Sequence, residues 1–159
     1  MITTAVPIQI VDFDPAHATA FRALNEEWIT RYFELEEADI KSLSNPQAYI
    51  LAKGGFILMA LYHGDPVGAC ALLREEANVF ELAKMAVTEK AQGLKIGKAL
   101  GKAALAKAKG AGAAKVYLVS NRKLHTALSL YQKLGFKEVP MPPSIYKRAD
   151  IKMEIDLLA

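Results

Sequence analysis

Cysteine occurs once in this chain, at Cys70, so no internal disulfide can form and no second thiol is present to help hold zinc. A lone cysteine inside an apolar run is expected to be a small buried core residue in a reducing compartment. Nor is there an apolar run near the roughly 18 residues that a membrane span requires. Residues 1–10 lack a basic start followed by an apolar signal core, and a cytoplasmic protein without a membrane partner is expected. Histidine is sparse, and His17, His63 and His125 lie too far apart in sequence to suggest a metal site. No repeat, low-complexity tract or Pro/Gly/Ser linker divides the 159 residues, so residues 1–159 are expected to form a single domain. With 52% apolar and 23% charged residues, the composition excludes a disordered chain.

Net charge is only +3, too little to argue for nucleic acid, but it is unevenly spread. Residues 1–83 hold 5 basic and 12 acidic side chains, residues 84–123 hold 10 and 1, and residues 124–159 hold 5 and 4. A positive field concentrated in one quarter of the chain suits a polyanion such as a phosphorylated cofactor, and equally suits a solvated lysine-rich helix face.

Periodicity divides the chain into elements. β-Branched residues over 2–11, with Pro7, predict an edge strand. Asp14-Pro15 opens a helix whose Ala18, Phe21, Leu24, Trp28 and Ile29 recur at helical spacing to about Tyr32. Asn45-Pro46 opens a short helix that Gly54-Gly55 ends. Residues 56–62 and 67–73 form a hairpin across His63-Gly64-Asp65-Pro66, and residues 78–87 add a third antiparallel strand. A helix follows from Gln92, with Ile96, Leu100, Ala104 and Ala108 on one face, until Gly110 and Gly112 stop it. Residues 115–120 are a strand, 124–134 a helix ended by Gly135, and 136–139 and 151–157 two last strands.

The segment Gln92, Gly93, Leu94, Lys95, Ile96, Gly97, Lys98 follows a strand and opens a helix. Its N–H groups lie at a helix N-terminus, where unpaired donors and the positive dipole end favour anions. Gly93 and Gly97 would let the main chain approach a ligand or take positive φ. Taken alone, the pattern fits a tight turn with a basic first helical turn just as well. It is neither a Walker loop nor a full dinucleotide fingerprint.

The wider span is more specific. FELAKMAV (residues 80–87), QGLKIGKAL (92–100), LVSN (118–121) and ALSLYQKLGFKEV (127–139) together resemble the GNAT superfamily of N-acetyltransferases, in order and spacing. The resemblance implies an α/β (α+β) fold: a mixed, mostly antiparallel, six- to seven-stranded sheet flanked by helices, with a V-shaped splay between strands 78–87 and 115–120. It implies acetyl-CoA as co-substrate and no metal. The main chain of Met85, Ala86 and Val87 would pair with the pantetheine arm, and the pyrophosphate would lie on residues 93–98. Asn121 would bond the cofactor, unless it only caps the helix that follows. Lys95 stands where that family usually has glycine, so loop geometry is expected to differ there.

The same resemblance makes Tyr131, in LYQKLGF, the acid that protonates the departing thiolate, and Glu81 the base that takes the amine's proton. Plainer readings are a packed ring and a solvated strand carboxylate. Trp28, Tyr32, Glu81 and Tyr146 would line the acceptor pocket. The expected reaction is direct transfer of acetyl to a primary amine of a small molecule in a ternary complex. An acidic first half suits a cationic amine, whereas Tyr146, Lys147 and Arg148 suit an acceptor bearing a carboxylate. A non-catalytic acyl-CoA-binding module is the alternative. A nucleic-acid-binding domain ranks lower, since residues 84–123 have Tyr117 as their one aromatic. The resemblance admits a homodimer, although no heptad or exposed apolar stripe argues for one.

Overall fold

The structure, a computed structural model, describes residues 8–158. Seven strands form one sheet in the order β1-β2-β3-β4-β5-β7-β6. They are β1 (Gln9–Asp12), β2 (Phe56–Tyr62), β3 (Asp65–Glu76), β4 (Val79–Val87), β5 (Lys115–Ser120), β6 (Lys137–Val139) and β7 (Ile151–Asp156). The β4–β5 pair is parallel, and every other neighbouring pair is antiparallel. β1 is an edge strand, as its sequence predicts, but it is short. The part of that expected strand before Ile8, with Pro7, lies outside the described residues.

Four helices cover the sheet: α1 (Ala18–Tyr32), α2 (Glu37–Ser44), α3 (Ile96–Gly110) and α4 (His125–Leu134). α1 is entered through a 3-10 turn at Pro15–His17, where Asp14 Oδ1 accepts the Ala16 N–H at 2.8 Å. α2 is not foreseen by the sequence pattern. Its residues EADIKSLS offer only Ile40 and Leu43 as large apolar groups, and Ile40 is exposed. The helix after Asn45-Pro46 is a single π-type turn, Gln47–Leu51. The β2–β3 hairpin is tighter than the expected four-residue turn. His63 and Gly64 alone make it, with φ of 51° and 81°, as a two-residue hairpin with right-handed twist requires.

Alternation along the central strands builds two cores, one on each face. Leu58, Ala60, Cys70, Leu72, Phe80 and Leu82 pack with α3 and Tyr131 of α4, whereas Ile57, Met59, Ala69 and Ala71 pack with α1 and Leu43 of α2. On β4 the alternation breaks. Two steps of β3, from Ala69 to Ala71, face three steps of β4, from Ala86 to Ala83. The extra residue is a β-bulge, and Lys84 within it has φ 55°. A one-residue shift turns the following side chains to the opposite face, so Ala86 packs toward α1 although Phe80 and Leu82 face α3.

The expected splay is present. β4 and β5 pair only at Val79↔Lys115, Phe80↔Val116 and Glu81↔Tyr117, although β4 runs on to Val87 and β5 to Ser120. Behind the gap, Gly97 and Gly101 of α3 let α4 close in. A Cβ on them would lie 3.1 Å from Leu130 Cδ2 and 2.5 Å from Leu134 Cδ1.

Gly55 starts the sheet without room for a side chain, because a Cβ there would sit 2.4 Å from the Leu72 carbonyl oxygen and 2.8 Å from that of Ile50. These are backbone atoms and cannot swing aside. Gly55→Ala is therefore expected to cost about 1–3 kcal/mol, seen as a lower thermal midpoint; an unchanged midpoint would mean that the strand start is looser than described.

Candidate active site

The chain leaves β4 at Val87 and reaches α3 through a 3-10 turn, Glu89–Ala91, and a loop. Glu27 of α1 holds this turn: its carboxylate accepts the Thr88 hydroxyl at 3.1 Å, the Glu89 N–H at 2.9 Å and the Arg31 guanidinium at 2.8 Å. The Glu89 N–H bond leads the effects that lower the Glu27 pKa. Gly93 has φ 89° and Lys95 φ 59°, ψ 31°. At position 95, where loop geometry is expected to differ, the backbone is left-handed. Lys95 takes the left-handed conformation that glycine enters freely, at a cost of about 1 kcal/mol. Gly97 lies inside α3, so its glycine serves close helix packing rather than positive φ.

The N–H groups from Gly93 through Lys98 find no hydrogen-bond partner among the described residues, and α3 has no side-chain cap. Such a run of free donors at a helix N-terminus, with Lys95 and Lys98 beside it, is an anion cradle. It opens into a groove of about 630 Å³ lined by Met85, Val87, Gln92, Gly93, Lys95, Ile96, Gly97, Lys98, His125 and Tyr131, among others. Leu94 instead projects into solvent, and the Ala86 side chain is buried toward α1. Tyr32 lies on this groove rather than deeper in the site.

A second, smaller cavity of about 110 Å³ lies deeper between β4 and β5. Asn25, Trp28, Glu81, Asn121, Tyr146 and Arg148 line it. Trp28, Met85, Leu124 and Tyr131 border both spaces, so the V-shaped gap joins the anion cradle to this smaller cavity. Lys123 bridges its mouth, donating to the Tyr32 carbonyl at 3.0 Å with its ammonium 4.2 Å from the Phe33 ring centre. Asn121 lines the smaller cavity. Its amide nitrogen donates to the Arg148 carbonyl at 2.7 Å and its oxygen accepts the Lys123 N–H at 2.9 Å, which leaves one amide hydrogen for a ligand.

Glu81 sits where the parallel pairing ends. Burial first, then the nearby Glu75 charge, raises its pKa to about 7, against the opposing pull of Lys84, Tyr117 and Lys152. The Tyr117 hydroxyl donates to Glu75 at 2.7 Å and lies 3.5 Å from Glu81. A carboxylate tuned to neutrality in a cleft can accept and release protons at physiological pH. Tyr131 is buried, with Phe136 edge-on at 6.1 Å, and its hydroxyl makes no hydrogen bond among the described residues. Burial, with the Cys70 thiol adding to it, raises its pKa to about 12, which keeps it a proton donor. Cys70 is itself pushed up to about 12 by burial, so its thiol stays protonated and a poor nucleophile, in keeping with its expected core role.

Sequence reasoning did not reach the polar cluster behind this cavity. Asp39 is fully buried on α2 and accepts two bonds from Arg148, both at 2.7 Å, one from Lys84 at 3.0 Å and one from the Glu36 N–H at 2.9 Å. Lys84 also donates to the Tyr146 hydroxyl at 3.1 Å. The bulge, α2 and the β6–β7 loop thus meet on one carboxylate. Arg148 is accordingly engaged by the protein itself, not free as its place in the last loop suggested. Burial alone would raise the Asp39 pKa, but the bonds from Arg148 and Glu36 and the Lys84 charge outweigh it and hold it at about 2. Among the described residues no group of three or more His, Cys, Asp or Glu could hold a metal, and no helix is long and apolar enough to cross a membrane.

The chain matches the acetyltransferase (GNAT) family over residues 18–136, and it belongs to that family. No curated protein matches it in sequence. Among solved structures it is similar to an acetyltransferase of the GNAT family from Staphylococcus aureus Mu50, with a TM-score of 0.85 at 23% identity over 95% of this chain and 99% of that one. The yncA structure from Salmonella typhimurium, which contains acetyl-CoA, matches with a TM-score of 0.75 at 15% identity, covering 95% and 94%. An aminoglycoside 6'-N-acetyltransferase complexed with coenzyme A matches with a TM-score of 0.72 at 16% identity, covering 93% and 96%.

Because the folded Asp39 pKa lies below its unfolded value of 3.8, its stabilisation is complete above that value and is lost as pH falls through about 2. Asp39→Ala should remove it and leave the buried Lys84 ammonium without a carboxylate and Arg148 with only Glu36, at about 3–5 kcal/mol. Denaturant titrations of both proteins near neutrality and near pH 3 check this: the difference between them should shrink in acid.

Proposed function

We propose that this protein transfers an acetyl group from acetyl-CoA to a primary amine of a small molecule, by direct attack within a ternary complex. One observation carries the reading: the anion cradle at residues 93–98 and the cavity holding Glu81 are two ends of one gap, and they join at Tyr131 and Met85. The free N–H groups fit a pyrophosphate, and the groove is long enough to continue past it. β4 has no β5 partner from Met85 to Val87, where an extended amide-bearing arm could pair on that side, with Gln92 Nε2 already donating to the Val87 carbonyl at 3.3 Å. Asn121 has one amide hydrogen left for the same arm. Solved structures of the same fold that contain acetyl-CoA or coenzyme A support this choice of co-substrate.

A bound thioester supplies an activated acyl carbon next to Tyr131. Around it, Glu81 takes the proton that an ammonium must lose before its nitrogen can attack, and Tyr131 gives a proton to the departing sulfur. Trp28 and Tyr146 shape the acceptor end, and Tyr32 covers the groove near the cofactor. These roles need no metal.

A thiol-release assay with acetyl-CoA and a broad amine panel tests the reading. Turnover of an amine is expected; coenzyme A binding by calorimetry without turnover of any amine would leave only a binding module, and no binding would remove both. Tyr131→Phe should lower kcat by about 10²-fold with an unchanged KM for acetyl-CoA, and an unaltered kcat would take the tyrosine out of the mechanism. With Glu81 as base, the rate should rise as pH passes through about 7, where the carboxylate loses its proton. Glu81→Gln should abolish that rise, and persistence of the same limb would assign it to another group.

A further inference from the structure

The sequence leaves two acceptor chemistries open, a cationic amine and an amine bearing a carboxylate, and the charges around the cavity separate them. Three charged side chains line it: Glu81, Lys84 and Arg148. Both cations are already bound. Arg148 grips Asp39 with two bonds of 2.7 Å and contacts Glu36 at 3.4 Å, while Lys84, only 5% exposed, gives its ammonium to Asp39 and Tyr146. Their two positive charges are thus balanced by the carboxylates of Asp39 and Glu36, so an acceptor carboxylate entering the cavity would be desolvated without meeting a net positive charge, which is unfavourable.

Among the hydrogen-bond acceptors that line the cavity, Asn121 Oδ1 and the Tyr146 hydroxyl are taken by Lys123 and Lys84, but one buried acceptor is not committed in this way. Asn25 of α1 is 2% exposed. Its amide nitrogen donates to the Phe21 carbonyl at 3.0 Å, and that bond fixes the amide's orientation, because a flipped amide would set two oxygens against each other. The Asn25 Oδ1 then accepts no hydrogen bond among the described residues, although it is buried and lines the same cavity as Glu81. A buried amide oxygen without a donor is unfavourable unless a ligand supplies one. The cavity therefore presents Asn25 Oδ1 and the Glu81 carboxylate to a group rich in N–H. Its volume of about 110 Å³ suits an amine on a few carbon atoms.

We infer that the acceptor is a small primary amine with no carboxylate beside its amino group, and that Asn25 Oδ1 takes an N–H from it next to Glu81. The inference rests on the acetyl-transfer reading above. Asn25 is an acceptor-binding residue in this scheme, and Asp39 with Glu36 sets specificity by balancing the charge of both cations.

Matched amines test it: ethylamine against alanine, isobutylamine against valine, 3-methylbutylamine against leucine and 2-phenylethylamine against phenylalanine, each with acetyl-CoA and thiol release as readout. The carboxylate-free member should have the higher kcat/KM per free amine, by at least about tenfold. Equal or better use of the amino acids overturns the inference and leaves acetyl transfer standing, as does turnover confined to amines outside these pairs. Coenzyme A binding with no amine turned over ends the parent reading and this one together. In the whole protein, Asn25→Leu should raise the KM for the preferred amine about tenfold with the KM for acetyl-CoA unchanged. A folded Asn25→Leu protein with an unchanged amine KM removes Asn25 from the site; should that variant fail to fold, the matched pairs on the wild-type protein still decide.

Discussion

The site depends on β4 and β5 ceasing to pair after Glu81. Parallel strands normally continue to exchange hydrogen bonds as long as both run on, and here both do run on, to Val87 and Ser120. What separates them lies on β4. The bulge at Lys84 adds a residue against β3, bends the strand and reverses which face its side chains occupy. Met85 and Val87 come to border the groove, although regular alternation from Leu82 would turn them the other way. The gap thus combines a strand edge without a β5 partner, a helix N-terminus and a buried carboxylate, three features that a continuous sheet would have covered.

A bulge with a lysine at φ 55° needs support, because left-handed backbone costs a residue with a side chain about 1 kcal/mol or more. Lys84 has that support in Asp39 and Tyr146. Asp39 in turn holds Arg148 in the β6–β7 loop, and Asn121 holds the carbonyl of the same Arg148 from the end of β5. The opening is therefore braced on both sides by one set of bonds running from α2 through the bulge to the last loop and back to β5. Glu27 and Lys123 brace the outer end in the same manner, from α1. Packing of the two cores sets the sheet, and these polar contacts set the width of the slot.

Much of this was legible in the sequence where the signal is local. The helix expected from Gln92, which starts four residues later at Ile96, the strand 115–120 and the glycine that ends the helix at 135 follow from periodicity and punctuation, and the anion cradle follows from a strand running into a helix through glycine. The rest depends on contacts between distant segments. α2 lacks an apolar stripe and is held by Asp39, whose partners lie about 45 and 109 residues away. The bulge has no glycine or proline to mark it, since a lysine carries the positive φ. Asn25 did leave a trace: it falls on the Phe21, Leu24, Trp28, Ile29 stripe of α1, where an apolar residue belongs. A polar residue on a core-facing stripe signals either a satisfied buried amide or a ligand contact, and only the missing partner of Oδ1 points to the second.

Counting charge along the chain misleads about the pocket for a related reason. The acidic surplus of residues 1–83 suggested a pocket for cations, and Lys147 with Arg148 suggested one for anions, yet both counts refer to segments that fold against each other. Glu36 and Asp39 from the acidic part consume Arg148 from the last loop and Lys84 from the basic part. What remains for an acceptor is the residue of that cancellation: one carboxylate near neutrality and one amide oxygen. The opposite holds at the other end of the gap, where among the described residues neither Lys95 nor Lys98 is in an ion pair and the N–H groups of Gly93 through Lys98 have no hydrogen-bond partner. Under the proposed function this polarity, free N–H groups and two lysines at the mouth and a carboxylate with an amide oxygen at the base, would orient a long ligand with its phosphates outward and its reactive end toward Glu81.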